Sequence, residues 1–309
     1  MALNITKGKI KQPEMVLIHG VDGVGKSTLA AGSPDPFYIA SEKGTANLNV
    51  TRAAVATMQD ARDAVLHLLN TKHSHGAAVL DTLDHLEALM WDEICKEKGV
   101  QNIEHVDGGY GKGYVEANRR WREFYHLLER LRTEKGMHVI IIAHSHIKAF
   151  QDPQANASYD RYILKLNDKA AGIWRELVDT VLFMNYETLT KEEKGQKRAK
   201  AFGNGDRILY TERRPAFDAK NRDGLPFSIE LPDPKLDGKT PWQAYLETKA
   251  SSNPADIKAI KADIQNLKGM LAKDDPTLPK IEAYIKEIGD DIDKNIGVRN
   301  RLRTLTGQN

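Results

Sequence analysis

The sequence predicts an α/β fold with a central, mainly parallel β-sheet flanked by helices, and three observations predict it. Short apolar runs alternate with stretches of helical periodicity through the first half of the chain. The strongest run, residues 137–143 (MHVIIIA), is apolar without interruption, as a parallel strand covered on both faces should be. Another run, Met15-Val16-Leu17-Ile18, leads into Gly20-Val21-Asp22-Gly23-Val24-Gly25-Lys26-Ser27-Thr28, a full G-x-x-x-x-G-K-S phosphate loop, and then into a helix opening at Thr28-Leu29-Ala30-Ala31.

The elements follow in order. Residues 1–13 read as a short basic arm or edge strand ahead of the first core strand. Pro34-Asp35-Pro36 punctuates the chain, and Phe37-Tyr38-Ile39-Ala40 reads as a second strand ending at Ser41-Glu42. Residues 58–69 are the best helix of the polar region that follows. Ala77-Ala78-Val79-Leu80-Asp81 is a third buried strand closed by a carboxylate, and Leu83, Leu86, Leu89 and Ile94 carry a helix to Lys98. A Gly-rich loop precedes a helix over 116–135 and then the strong strand, which His144 ends. Beyond it, residues 162–166, 180–186, 207–211 and 227–230 read as shorter strands of an antiparallel extension, and 190–200 as a charged, solvated hairpin or loop. From about residue 253, Ile257, Ile260, Ile264, Leu267 and Leu271 keep a 3-4-3-4 spacing. Asp274-Asp275-Pro276 breaks the stripe, and Ile281, Ile285, Ile288 and Ile292 make a second one, so the tail reads as a helical hairpin. The expected division is 1–232 for the core and 233–309 for a C-terminal helical extension.

Composition bounds the chemistry. With 45 Lys and Arg against 43 Asp and Glu in 309 residues the net charge is only +2, so any nucleic-acid surface must come from local patches. The single cysteine, Cys95, excludes an internal disulfide and suits a reducing cytosol. No apolar run approaches the ~20 residues of a membrane span.

The phosphate loop implies a nucleoside triphosphate. Its glycines let backbone N–H groups turn toward phosphate oxygens, Lys26 reaches the β- and γ-phosphates, and the Ser27 hydroxyl sits on Mg²⁺. Asp81 closes an apolar strand, the position of a carboxylate that holds the water shell of Mg²⁺, with a helix cap before Leu83 as its bland alternative. The residue after it is Thr82, not Glu, so another group must orient the attacking water. Glu42 is the candidate, because the carboxyl ends of strands line the ligand crevice of a doubly wound sheet; Asp84, expected to be exposed on its helix, is the weaker competitor. His144 is placed to touch the γ-phosphate and report hydrolysis to the chain that follows. His144 and His146 at i, i+2, with no cysteine nearby, make a poor zinc site.

Together the loop, Ile39-Ala40-Ser41-Glu42, Leu80-Asp81-Thr82 and Ile142-Ala143-His144-Ser145-His146 resemble the RecA-like P-loop ATPase core, most nearly that of the short phage single-strand annealing ATPases. The resemblance covers about residues 13–231. It implies that Glu42 polarises the catalytic water and that His144 senses the γ-phosphate of ATP. Ala219-Lys220-Asn221-Arg222-Asp223-Gly224 is similar to the segment whose Lys and Arg, in such proteins, reach a neighbour's nucleotide in trans; Arg213 and Arg214 compete for that role. The resemblance thus implies a homo-oligomer, ring or filament, with single-stranded DNA as partner and a single-strand-binding protein as a further one. A phage-encoded protein of this kind would work in the bacterial host cytosol. Two loops would grip the strand: residues 105–114, with Tyr110, Lys112 and Tyr114 among glycines, and residues 147–161, with Lys148, Phe150 and Arg161.

The leading expectation is therefore an ATP-dependent, single-strand-binding recombination or annealing protein. A ring-forming helicase or translocase motor is the alternative, and a P-loop small-molecule kinase or a non-catalytic, nucleotide-gated scaffold are further readings.

Overall fold

The computed structural model describes residues 6–7, 10, 12–153, 157–187, 189–191, 200–202, 205–233, 237–251, 254–271, 275, 277–288, 295, 298–299, 301–302 and 306. Its centre is one sheet in the order β11-β10-β7-β1-β5-β4-β2-β3. Strands β1 (Met15–Gly20), β2 (Pro36–Ala40), β3 (Thr51–Ala54), β4 (Ala77–Asp81), β5 (His138–Phe150) and β7 (Thr180–Tyr186) run parallel. β10 (Arg207–Tyr210) and β11 (Ser228–Glu230) add antiparallel strands at one edge.

The continuous apolar runs are explained by what covers them. Alternate residues of β1 and β5 serve opposite faces: Met15, Leu17, Val139 and Ile141 meet one cluster, and Val16, Ile18, Ile140 and Ile142 the other. On the first face lie α2 (Met58–Asn70), α3 (Leu83–Lys98), α4 (Lys112–Lys135) and α5 (Asp168–Leu177), which contribute Leu68, Leu86, Trp121, Phe124 and Trp174. α1 (Lys26–Ala31) covers the second face with Leu29 and Ala30. α2 starts at a complete capping box, Thr57 with Asp60, and α3 and α4 end at left-handed Gly99 and Gly136.

Three expectations change. β7 belongs to the parallel core, hydrogen-bonded along β1 from Val16↔Thr180 to Gly20↔Met184, and the antiparallel edge begins only at β10. β5 does not end at His144 but runs to Phe150 and folds back as β6 (Tyr159–Leu164), in register from Ser145↔Leu164 to Phe150↔Tyr159. And α6 (Pro241–Ser251), on the tail side of the expected division, sets Trp242 and Tyr245 into the second face of the sheet, where both are buried.

Beyond α6, α7 (Pro254–Met270) and α8 (Leu278–Ile288) follow the two apolar stripes. Ile264 and Leu267 pack with Val298 and Leu302, and Leu271, Ile281 and Ile285 join them, a small cluster apart from the core. The side chains of Ile257, Ile260, Ile288 and Ile292 lie outside the described residues. β8 (Leu189–Lys191) and β9 (Lys200–Phe202) form the charged hairpin, whose tip, 192–199, also lies outside them. Among the described residues no helix is long and apolar enough to cross a membrane.

Candidate functional site

The phosphate loop joins β1 to α1 where the backbone allows little else. A Cβ on Gly20 would stand 2.1 Å from the Met184 carbonyl oxygen of β7, so only glycine lets the strands approach there. Gly25, the residue before α1, has φ +102°, a region that L side chains rarely adopt. Within the loop Val24 is core, with Leu29 and Trp242 in its cluster, while Asp22 and Thr28 face solvent. Lys26 is buried and donates from Nζ to the carbonyl oxygens of Gly20 (3.0 Å) and Val21 (2.8 Å). Burial draws its pKa down, against the pull of Asp22, Asp84, Asp81 and Glu42.

Asp81 closes β4 and is 4% exposed. Ser27 Oγ donates to its Oδ2 at 2.7 Å, and Tyr38, from β2, donates to the Ser27 carbonyl at 2.7 Å. Burial raises the Asp81 pKa more than the Ser27 bond lowers it. A buried carboxylate beside a hydroxyl is an all-oxygen pair short of positive charge, which fits a hard divalent cation such as Mg²⁺.

Glu42 reaches the same edge through Ser41. The Ser41 amide donates to the Asp81 carbonyl (2.8 Å), and its hydroxyl accepts from Thr82 N (3.0 Å), lacing the end of β2 to the end of β4. Glu42 Oε1 then accepts from Thr82 Oγ1 at 2.8 Å and stands 3.8 Å from His144 Nδ1. Its side chain is 26% exposed, within reach of a water.

Asp84 corrects an expectation. It does not project from its helix: its side chain is 7% exposed, and both oxygens serve His144, one accepting the backbone N–H at 2.9 Å and the other meeting Nδ1 at 3.0 Å. That bond, more than burial opposes it, lifts the His144 pKa and leaves Nε2 facing outward, 3.6 Å from Asp22. Nothing in the sequence pairs the two residues; the adjacency of β4 and β5 in the sheet does. Ligand atoms of Glu42, Asp84 and His144 lie within 4.8 Å of one another. With Asp84 fully engaged by His144, the trio is better suited to holding a proton than a metal.

The expected strand-binding residues separate. Tyr110 is wholly exposed, at φ 55° in the Gly-rich loop. Lys112 donates to the Asp107 carbonyl at 2.8 Å, and Tyr114 packs edge-on against Trp91 with its hydroxyl on Glu104. Residues 147–150 and 159–161 pair as antiparallel strands rather than forming an open loop, and 154–156 lie outside the described residues. Lys148 is half exposed and pairs with Asp168 at 2.8 Å. Arg161 is 3% exposed: its guanidinium donates to the Phe217 carbonyl and the Asp218 carboxylate and lies 5.1 Å from the Phe150 ring. It is a buried ion-pair residue, so Arg161 is no surface contact for a strand.

The Lys220 segment lies at the far end of the sheet. Lys220 pairs with Val181 near the start of β7, level with Leu17, whereas the phosphate loop leaves the other end of β1. Its Nζ caps α5, donating to the carbonyls of Val178 (2.6 Å) and Arg175. Arg222 is exposed and lines a cavity of about 820 Å³ with Glu14, His138, Asp179 and Lys249. Arg214 lies over the Phe227 ring at 4.0 Å, and Arg213 is exposed near Asp218. None of these four cations stands at this chain's own phosphate loop.

A family model described as an AAA domain matches residues 12–223. No curated protein matches the chain. Among solved structures, a crystal structure of the RadB recombinase is 14% identical, covering 72% of this chain and 89% of that one at a TM-score of 0.40, a likeness too loose to carry an argument.

Proposed function

The chain belongs to the AAA domain family, and from that premise we propose that it is a RecA-like P-loop ATPase that hydrolyses ATP with Mg²⁺ to govern its grip on single-stranded DNA in recombination or annealing. One observation carries the reading. Lys26, the Ser27–Asp81 pair, Glu42 and His144 converge where β1, β4 and β2 end and β5 passes level with the end of β1, and β5 continues from His144 into the exposed hairpin.

Lys26 exchanges two loop carbonyls for phosphate oxygens. Ser27 and Asp81 would hold a magnesium ion, which would offset charge on the phosphates. Glu42 takes the proton of the water whose oxygen attacks the γ-phosphorus; the bond to the β–γ bridging oxygen breaks and ADP leaves with the electron pair. His144, its Nδ1 held by Asp84, donates from Nε2 to a γ-phosphate oxygen. Loss of that oxygen alters the start of the β5–β6 hairpin, which with Tyr110 and Lys112 meets the strand.

Lys220 and Arg222, remote from their own phosphate loop, act on a neighbour's nucleotide, so the protein works as a homo-oligomer in ring or filament. Lys220 must leave the carbonyls of α5 to do so, which makes Arg222 the stronger of the two. A core that includes α6 with a helical extension beyond it, a cytosolic setting and a single-strand-binding protein as partner complete the proposal, the last from resemblance alone.

The test is ATP hydrolysis with and without single-stranded DNA. Wild type is stimulated; Glu42→Gln loses about 10²–10⁴-fold in rate while still binding ATP, and Arg222→Ala loses the stimulation. Hydrolysis indifferent to DNA, with Arg222→Ala unaltered, would sink the strand-binding, composite-site reading and favour a P-loop enzyme acting alone.

A further inference from the structure

On the other side of β1 from Asp81 and Glu42, the edge of the sheet brings a second cation to the phosphate loop. β10 runs antiparallel to β7, and its first residue, Arg207, pairs with Tyr186, the last of β7. Both therefore stand at the end of the sheet from which the loop leaves β1. The Tyr186 hydroxyl donates to the Gly23 carbonyl at 3.0 Å, holding the loop against this edge. Arg207 Nη1 comes within 2.9 Å, and its Cδ within 3.9 Å, of the place a Cβ would take on Gly25. The guanidinium rests on the last loop glycine, immediately before Lys26.

It is also uncommitted. Arg62, Arg120, Arg132, Arg161 and Arg175 each hold a carboxylate. Among the described residues Arg207 has no hydrogen-bond or ion-pair partner for its side chain, although it is partly buried. A partly desolvated guanidinium without an anion is a costly arrangement unless an anion is to come. The charge around the loop points the same way: Asp22, Asp81, Asp84 and Glu42 all act on Lys26, and a polyphosphate brings more negative charge to that single ammonium.

We propose that Arg207 is a phosphate-binding residue acting in cis, its guanidinium closing on the polyphosphate of a nucleoside di- or triphosphate from the side opposite Asp81 and Glu42. The planar fork suits two phosphate oxygens at once, which an ammonium cannot match. The inference rests on the loop being the nucleotide site, and it divides the cations: Lys26 and Arg207 from the chain itself, Arg222 from a neighbour.

ADP binding to the full chain, without DNA, tests it by calorimetry with Arg207→Met, which keeps the stem, and Arg207→Lys, which keeps the charge. Arg207→Met should weaken ADP about 10- to 100-fold and Arg207→Lys less. Both should melt within about 2 °C of wild type when no nucleotide is present, and the ADP-dependent rise in melting temperature should shrink in the same order. Wild-type affinity in Arg207→Met overturns the inference and leaves the phosphate-loop reading standing. A wild type that does not bind ADP brings down both.

Discussion

Asp84 gives both carboxylate oxygens to His144 and is the strongest influence on the charge of that imidazole. The pairing raises the His144 pKa and lowers that of Asp84. In a histidine-selective NMR titration His144 should therefore titrate above the usual ~6.5, and in Asp84→Asn it should fall, because burial and Lys26 are then opposed only by the weaker pull of Glu42. The sign for stability follows. A raised histidine pKa stabilises the fold fully below the unfolded value and loses that contribution as pH rises through the folded one. The gap in urea midpoint between wild type and His144→Gln should accordingly narrow as pH climbs from about 6 to 9; a constant gap would mean that the imidazole is not held charged.

At the scale of elements, α3 grips both ends of the segment that contains the hairpin. Asp84 holds His144 at its start, and one turn on, Glu87 Oε2 accepts from Asn167 N at 2.9 Å, just before α5. Burial pushes the Glu87 pKa up to about 7. A carboxyl raised in this way favours folding below its unfolded pKa, and the advantage is lost as pH rises through about 7. Glu87→Gln keeps an acceptor for Asn167 and removes the buried charge, so it should stabilise the protein by roughly 1–3 kcal/mol above neutrality and little at pH ~5 by chemical denaturation. At the other end of α5, Lys220 caps the last carbonyls. Lys220→Ala should cost about 1–2 kcal/mol, a loss that must be separated from any effect on a neighbour's nucleotide by measuring stability beside turnover. Element types were readable here wherever periodicity was strong: α3 over 83–98 and β4 over 77–81 stand as expected. The β5–β6 hairpin was not, because His144-Ser145-His146-Ile147-Lys148 has neither an apolar run nor a turn signal to mark where the strand continues.

Across the whole molecule, α6 belongs to the sheet. Trp242 and Tyr245 are buried against its second face, and Tyr245 and Lys249 meet Glu14 of the N-terminal segment. Trp242→Ala should cost about 3–5 kcal/mol, and a chain cut after residue 232 should unfold at lower denaturant than one cut after 251. Equal stability of the two would show α6 to be dispensable. The sequence by itself determined the phosphate loop, the carboxylate after β4, Glu42 after β2 and the alternation of strands with helices, because each depends on residue types at short spacing. Only the tertiary structure decided which strands lie side by side. That order puts Asp84 on His144, Arg207 on Gly25, Arg161 inside the fold and Arg222 at the end away from its own nucleotide loop. Contacts across 60 to 199 positions, such as His144 to Asp84 or His19 to Asp218, leave no local pattern, since they follow from the lateral order of strands rather than from spacing along any one of them.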